Sequence, residues 1–344
     1  RYGYDCYPHA LLAAGHVDVV VDFDLKPFDY LPLAGVIEAA GGVISDWDGK
    51  PLDYNSDGRV ISAATPELHR ELMNLIGQPE RANSVERGSA PIAAKGLLNS
   101  KDGLPYEVAN LEGEADIFLI CEHASNRIPA ALGDLGLSEI QQSSHVAWDP
   151  GAHELAKKLS SSLDAPLVAA RFSRLVYDCN RPPEAASAMP SDTEVCRVPG
   201  NASLSELEMN ARTNEIYEPF HGAVAGAIAS RRQQGKKSVV VSIHSFTPVY
   251  NGEQRFVEIG YLHSQNGALA KAMFANSPAD QDRDIRLNQP YGPNDGVLHT
   301  IEMHTAQGNE PHVMIEVRND LLSDQKGLQA IHDLIAEALS ASLK

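Results

Sequence analysis

From residue 116 to residue 317 one pattern keeps returning: a short apolar or β-branched run that breaks off at a histidine or a carboxylate. LIC runs into Glu122-His123, VVVSI into His244, and HVMI into Glu316. Runs of that length, separated by stretches of helical periodicity, predict buried strands joined by helical crossovers. They imply an α/β sandwich whose sheet is mixed and mostly parallel. In such sheets ligands collect beyond the carboxyl ends of the strands, where these histidines and carboxylates stand.

Strands are expected at Asp116–Cys121, Pro166–Ala170, Leu175–Asp178, Ser238–His244, Val257–His263 and His312–Val317. Helices are expected at Gly151–Leu163, Leu204–Arg232, Asn266–Ala275 and Gln325–Leu343. A smaller α/β block precedes them, with strands at Val17–Phe23, Gly42–Asp46 and Arg59–Ala63 and helices at Tyr30–Ala40 and Pro66–Ile76. Between the blocks, QPERANSVERGSAPIAAKGLLNSK loses periodicity and gathers Pro, Gly, Ser and charge, as a linker does. The expected organisation is residues 1–77, a linker over 78–102, and a second domain over 103–344.

Composition narrows the function classes. At 344 residues with 43% hydrophobic content the chain can build two cores. A formal charge of -18 opposes binding to nucleic acid or anionic lipid. No apolar run approaches a membrane span, and no signal pattern opens the chain, so a cytoplasmic protein is expected. The four cysteines, Cys6, Cys121, Cys179 and Cys196, form no CxxC pair, so any metal must rest on histidine and carboxylate.

His123, Asp149 and His244 could supply the three protein ligands of a catalytic zinc, leaving a position open. SSHVAWDPGAHELA also offers His145 and His153, and Asp149 could instead cap the helix that follows. Glu122 is the competing carboxylate ligand. Glu316 could carry the proton from an attacking water to a leaving amine, or could simply pair with Arg318. These are the parts of an amide hydrolase.

The ordered motifs CEHASNRIP, HVAWDPGA, RFSRLVYDCNRP, VVSIHSF, NDGVLHTIEMH and HVMIEVRNDLL resemble the N-formylglutamate amidohydrolase family over about Pro105 to Lys344. That resemblance implies a three-layer fold related to the zinc carboxypeptidases and zinc peptidoglycan amidases. It makes His123 and His244 metal-ligand candidates and Glu316 the general acid/base. It also implies a small acylamino acid substrate with carboxylates, for which Arg181, Asn180 and Arg174 are the binding candidates and Arg171 lies in the same segment. N-formyl-L-glutamate is the expected substrate, and other N-acyl amino acids or a small amide remain open.

In the first block, LKPFDYLPLAGVIEAAGG resembles the C-terminal half of the inositol monophosphatase family, most closely its histidinol-phosphatase-like members. The resemblance makes Asp29 a magnesium ligand and Asp22 a substrate-contacting carboxylate. The family's other metal carboxylates lie in upstream motifs absent from this chain, so a partial domain with an incomplete magnesium site is expected. Three functions follow: zinc-dependent amide hydrolysis, phosphomonoester hydrolysis by a parent protein with a complete first domain, or capture of an acyl amino acid without catalysis.

Overall fold

The computed structural model describes residues 7–23, 25, 27–54, 56, 58–76, 96–264, 266–277, 283–305 and 310–343. Residues 78–95 of the expected linker lie outside them. The chain divides into two compact units, Arg1–Ser89 and Ala90–Lys344. Residues 96–102 belong to the second: Leu97 is buried, and the amides of Leu97 and Leu98 donate to the Glu215 carboxylate.

In the first unit, α1 (Tyr7–Ala13) leads into β1 (Val19–Asp22), α2 (Pro27–Ala39), β2 (Val43–Asp46), β3 (Val60–Ala63) and α3 (Pro66–Ile76). The strands form an antiparallel sheet in the order β1-β3-β2. Leu12, Val20, Tyr30, Leu33, Ile37 and Val60 share its core. α2 begins a turn earlier than the apolar spacing indicates, because Pro27 has a φ already suited to a first helical position. Asp29 therefore lies within the first turn of α2 rather than at its cap.

The second unit is built on seven strands: β4 (Tyr106–Ala109), β5 (Ile117–Cys121), β6 (Leu167–Ala170), β7 (Val239–Phe246), β10 (Ile259–Leu262), β11 (Ile285–Leu287) and β12 (His312–Arg318). A two-stranded ribbon of β8 (Val249–Tyr250) and β9 (Glu253–Gln254) leaves the end of β7. The sheet order is β11-β10-β12-β7-β5-β6-β4. β12, β7, β5 and β6 run parallel, while β10 joins β12 and β4 joins β6 antiparallel.

Alternation along the strands divides the core into two. Leu119, Cys121, Val241, Ile243, Val313 and Ile315 face α5 (Ala152–Leu163) and α10 (Gln325–Ser342), with α8 (Ala268–Asn276) on the same side. Phe118, Ile120, Val168 and Val240 face the opposite layer, which includes α7 (Glu218–Gln233). The second face also meets α9 (His299–Thr305). Helices thus cover both faces of a mixed, mostly parallel sheet. Among the described residues no helix is long and apolar enough to cross a membrane.

Two expected elements differ. Leu175–Asp178 is a turn: the amides of Val176 and Tyr177 both donate to the Ser173 carbonyl, although Leu175, Val176 and Tyr177 are buried. Its apolar character reflects a buried loop. Leu204–Arg232 is helical, but α6 (Glu206–Arg212) passes through a π-turn at Thr213–Tyr217 before α7. Pro219, which has no N–H to continue an α-helical ladder, stands just beyond that turn.

Two glycines let backbones meet near the strand ends. At Gly151, which has φ +82°, a Cβ would lie 2.4 Å from the Leu322 Cβ. At Gly260 in β10, a Cβ would collide with the Gln289 carbonyl oxygen. The absence of a side chain there seats the segment Gln289–Tyr291 against the sheet beside Glu316, the register partner of Gly260.

Candidate metal centre and active site

His244 and Glu316 are register neighbours near the carboxyl ends of two adjacent parallel strands, and alternation puts both on the face opposite Ile243 and Ile315. Glu122 and His123 follow the end of β5 directly. The Asp149 amide donates to the His123 carbonyl at 2.9 Å, which fixes the approach to α5 alongside this loop. Three separated segments converge as a result.

His123 Nδ1, His244 Nδ1 and Asp149 Oδ2 form a buried triangle with sides of 3.2, 3.0 and 3.3 Å. Ligands held roughly 2.0–2.1 Å from a tetrahedral ion stand about 3.3 Å apart, so the donor set and spacing fit a divalent cation. The far sides of both rings are engaged too. His123 Nε2 lies 2.7 Å from Asp178 Oδ1, and His244 Nε2 lies 3.0 Å from Glu122 Oε2. With a cation bound, each Nε2–H would donate outward and each Nδ1 would offer its lone pair, the arrangement that carboxylates impose on metal-ligating histidines.

Glu122 is therefore on the side of His244 away from the triangle, where it also accepts from Ser242 Oγ at 2.7 Å. Asp149 does not cap α5. The N-cap is Gly151, without a side-chain bond, while Asp149 Oδ2 accepts from the Ser245 amide at 3.1 Å. Burial works to raise the Glu122 carboxyl, but the His244 imidazole and the Ser242 hydroxyl overcome it and bring it to about 2. Burial is likewise outweighed at Asp149, by the His123 and His244 imidazoles, and at Asp178, by His123 and the Arg174 guanidinium, and both carboxyls are held well below the usual range. At His244 the Glu122 and Asp149 carboxylates overcome burial in the other direction and push the imidazole well up.

Glu316 behaves differently. It is buried, its Oε2 has no hydrogen-bond partner, and burial raises it to about 7. It lines a cavity of about 600 Å³ together with His123, Asp149 and His244. This size is typical of a small-molecule site.

The substrate-binding candidates are placed around this cavity but engaged elsewhere. Arg174 donates to Asp178 Oδ2 at 3.0 Å and stands 3.5 Å from Asp149 Oδ1, bracing the two carboxylates. Asn180 donates to the Val297 carbonyl and accepts from the Thr300 amide, which ties down the start of α9. Arg181 NH1 donates to the Asn180 and Gly296 carbonyls. Of the other candidates, His145 pairs with Glu194 at the cavity rim, and His153 with Glu107 of β4. Arg171 donates to the Leu104 carbonyl. Arg318 stands by Asp320 and Glu258, so the expected alternative pairing with Glu316 does not form.

In the first unit Asp22 is buried at the end of β1 and accepts from the Phe23 amide. Among the described residues, Asp29 joins no His, Cys, Asp and Glu group able to hold a metal; only the His123–Asp149–His244 set does.

A model of the N-formylglutamate amidohydrolase family matches residues 115–323, more than half of the chain. The chain belongs to the N-formylglutamate amidohydrolase family. Gene product Atu2144 from Agrobacterium tumefaciens, a solved structure, is 48% identical, with 72% of this chain and 100% of that one covered and a TM-score of 0.69. The N-formylglutamate amidohydrolase from Ralstonia eutropha JMP134 is similar in fold at 17% identity, with 70% and 97% covered and a TM-score of 0.50. Residues 1–80 match a model of the inositol monophosphatase family. A histidinol-phosphatase from Chlorobaculum parvum is 35% identical over 77 residues, 22% of this chain and 29% of that protein. The chain spans less than a third of the length of the curated phosphatases it matches.

Proposed function

We propose that the second unit hydrolyses the amide bond of an N-acyl amino acid with the help of a divalent cation, zinc by the chemistry of the donors, and that N-formyl-L-glutamate, giving formate and L-glutamate, is its substrate. The observation that carries this reading is the buried His123–Asp149–His244 triangle facing one cavity with the unpartnered carboxyl of Glu316. The family match supports amide hydrolysis, and the donor set supports the metal.

His123, His244 and Asp149 would hold the cation, with Asp178 and Glu122 fixing the two rings from behind. A bound cation supplies Lewis acidity toward the amide carbonyl and makes water more acidic. Glu316 takes the proton from the attacking water as its oxygen bonds to the carbonyl carbon. The same carboxyl then delivers that proton to nitrogen as the C–N bond breaks, and the second water proton passes from the new acid to the amine, so that carboxylate and ammonium leave. One carboxyl lining the cavity beside the triangle can serve both transfers. Arg174 keeps Asp149 and Asp178 in place.

Metal analysis combined with formate and glutamate release from N-formyl-L-glutamate tests the proposal. About one zinc per chain with stoichiometric release of both products is expected. A metal-replete protein that cleaves no N-acyl amino acid would overturn it, and one that binds such compounds without cleaving them would favour capture. Phosphomonoester hydrolysis rests on the match of residues 1–80 alone. Phosphate release from histidinol phosphate with magnesium is the corresponding test.

A further inference from the structure

Three arginines line the cavity, Arg174, Arg181 and Arg255, and they differ in what occupies them. Arg174 faces two carboxylates and Arg181 two backbone carbonyls. Arg255, just past β9, pairs with no carboxylate among the described residues, and its side chain makes a single hydrogen bond there, from Nη1 to Tyr291 Oη at 3.0 Å. Its guanidinium carbon lies 5.5, 4.3 and 4.9 Å from the ring centres of Phe246, Tyr250 and Tyr291. Three aromatic rings flank the group without neutralising it, and four of its five N–H donors have no acceptor among the described residues.

The position matters as much as the charge. Phe246 stands two residues after His244 on β7, and Tyr291 and Arg255 line the same cavity as Glu316 and Arg174. Tyr291 accepts from Arg255 through its phenol oxygen, so its own O–H is available to donate. A planar fork and a phenol donor beside the reacting groups match a carboxylate a few bonds from the scissile amide. We propose that Arg255, with Tyr291, is the anchor for a carboxylate of the substrate's amino-acid part, and so selects acyl amino acids over acyl amines. This inference rests on the amide-hydrolase reading, and it moves substrate recognition from Arg174 and Arg181 to a residue outside the RLVYDCNRP motif.

Titration calorimetry on the metal-loaded full chain with glutarate, and with neutral glutaramide as control, tests the anchor without any turnover. Glutarate should bind the unaltered protein and glutaramide should not. Arg255→Gln should weaken glutarate by about 10- to 100-fold, as expected for loss of charge-assisted hydrogen bonds, with Arg255→Lys in between. Tyr291→Phe, which keeps the ring and removes the donor, should weaken it by less and provides the test if Arg255→Gln fails to fold. In kinetics, Arg255→Gln should raise KM for N-formyl-L-glutamate far more than for N-formylbutylamine. Unaltered glutarate binding in both variants, or loss on Arg181→Gln in place of Arg255→Gln, would overturn the inference. If no amide is cleaved, the hydrolase reading fails while the glutarate titration still reports on Arg255.

Discussion

At the scale of single residues, adjacency in sequence and adjacency in space part company at Glu122. It neighbours His123 in the chain, yet it contacts the Nε2 of His244 from the next strand. Asp149→Asn should therefore remove most of the bound metal, whereas Glu122→Gln, acting through one ring, should weaken it by about 10- to 100-fold. Measuring zinc content after dialysis against graded chelator checks the ranking, and equal losses would make both carboxylates direct ligands. Glu316→Gln keeps the shape of the side chain but cannot move the proton, so turnover should fall about 10²- to 10⁴-fold at unchanged metal content. Single-turnover rates and metal stoichiometry on one preparation separate that outcome from a lost ligand. His123, His244 and Glu316 were legible because polar chemistry at a strand end stands out against an apolar run. Asp178 was visible as a polar group closing RLVYD but not its place behind the His123 ring, and Arg255 was not visible at all, because its surroundings come from β7, a hairpin and the loop after β11. No spacing in the sequence encodes those meetings.

At the scale of elements, the long helices and central strands could be read from periodicity, while β4, β11 and α9 could not. They are three to seven residues long, two are edge strands, and their apolar positions are too few to set a period. Yet α9 is held to α7 by a partly buried contact, His221 Nδ1 to His304 Nε2 at 2.8 Å, and His221 Nε2 donates to the Cys179 carbonyl. Burial, reinforced at His221 by the charge of its partner, lowers the two imidazoles to about 3 and about 4. Above pH 6.5 both are neutral whether the chain is folded or not, so their packing stabilises fully. As pH falls from 6.5 toward 4, the unfolded chain binds protons that the folded pair refuses, and stability declines. Urea midpoints measured in chelator between pH 7 and 4.5 should fall with acid, and His304→Gln should fall less steeply. Parallel slopes for the two proteins would remove this pair as the cause.

At the scale of the whole molecule, every member of the proposed site comes from the second unit. Deleting residues 1–89 should leave hydrolysis of N-formyl-L-glutamate within about twofold, provided stability is retained, because no ligand or proton carrier is lost. A large loss in a folded, zinc-replete truncation would mean that the first unit contributes to the reaction. The chain divides between Ser89 and Ala90, inside the stretch that loses periodicity after residue 77, and residues 97–102 pack with the second unit despite their linker-like composition. One missing methyl group ties the levels together. Gly260 touches Gln289 on one side and lies opposite Glu316 in the sheet on the other, so adding a Cβ would push the segment carrying Tyr291, which is outside the strand ladder, and spare the paired strand. Gly260→Ala should raise KM for a carboxylate substrate while zinc content stays constant. If KM and zinc stay constant together, Gln289 can yield without moving Tyr291. A position that neither binds nor reacts would then tune how closely two independently built halves of the pocket approach one another, which gives selection a way to change the substrate without touching the chemistry.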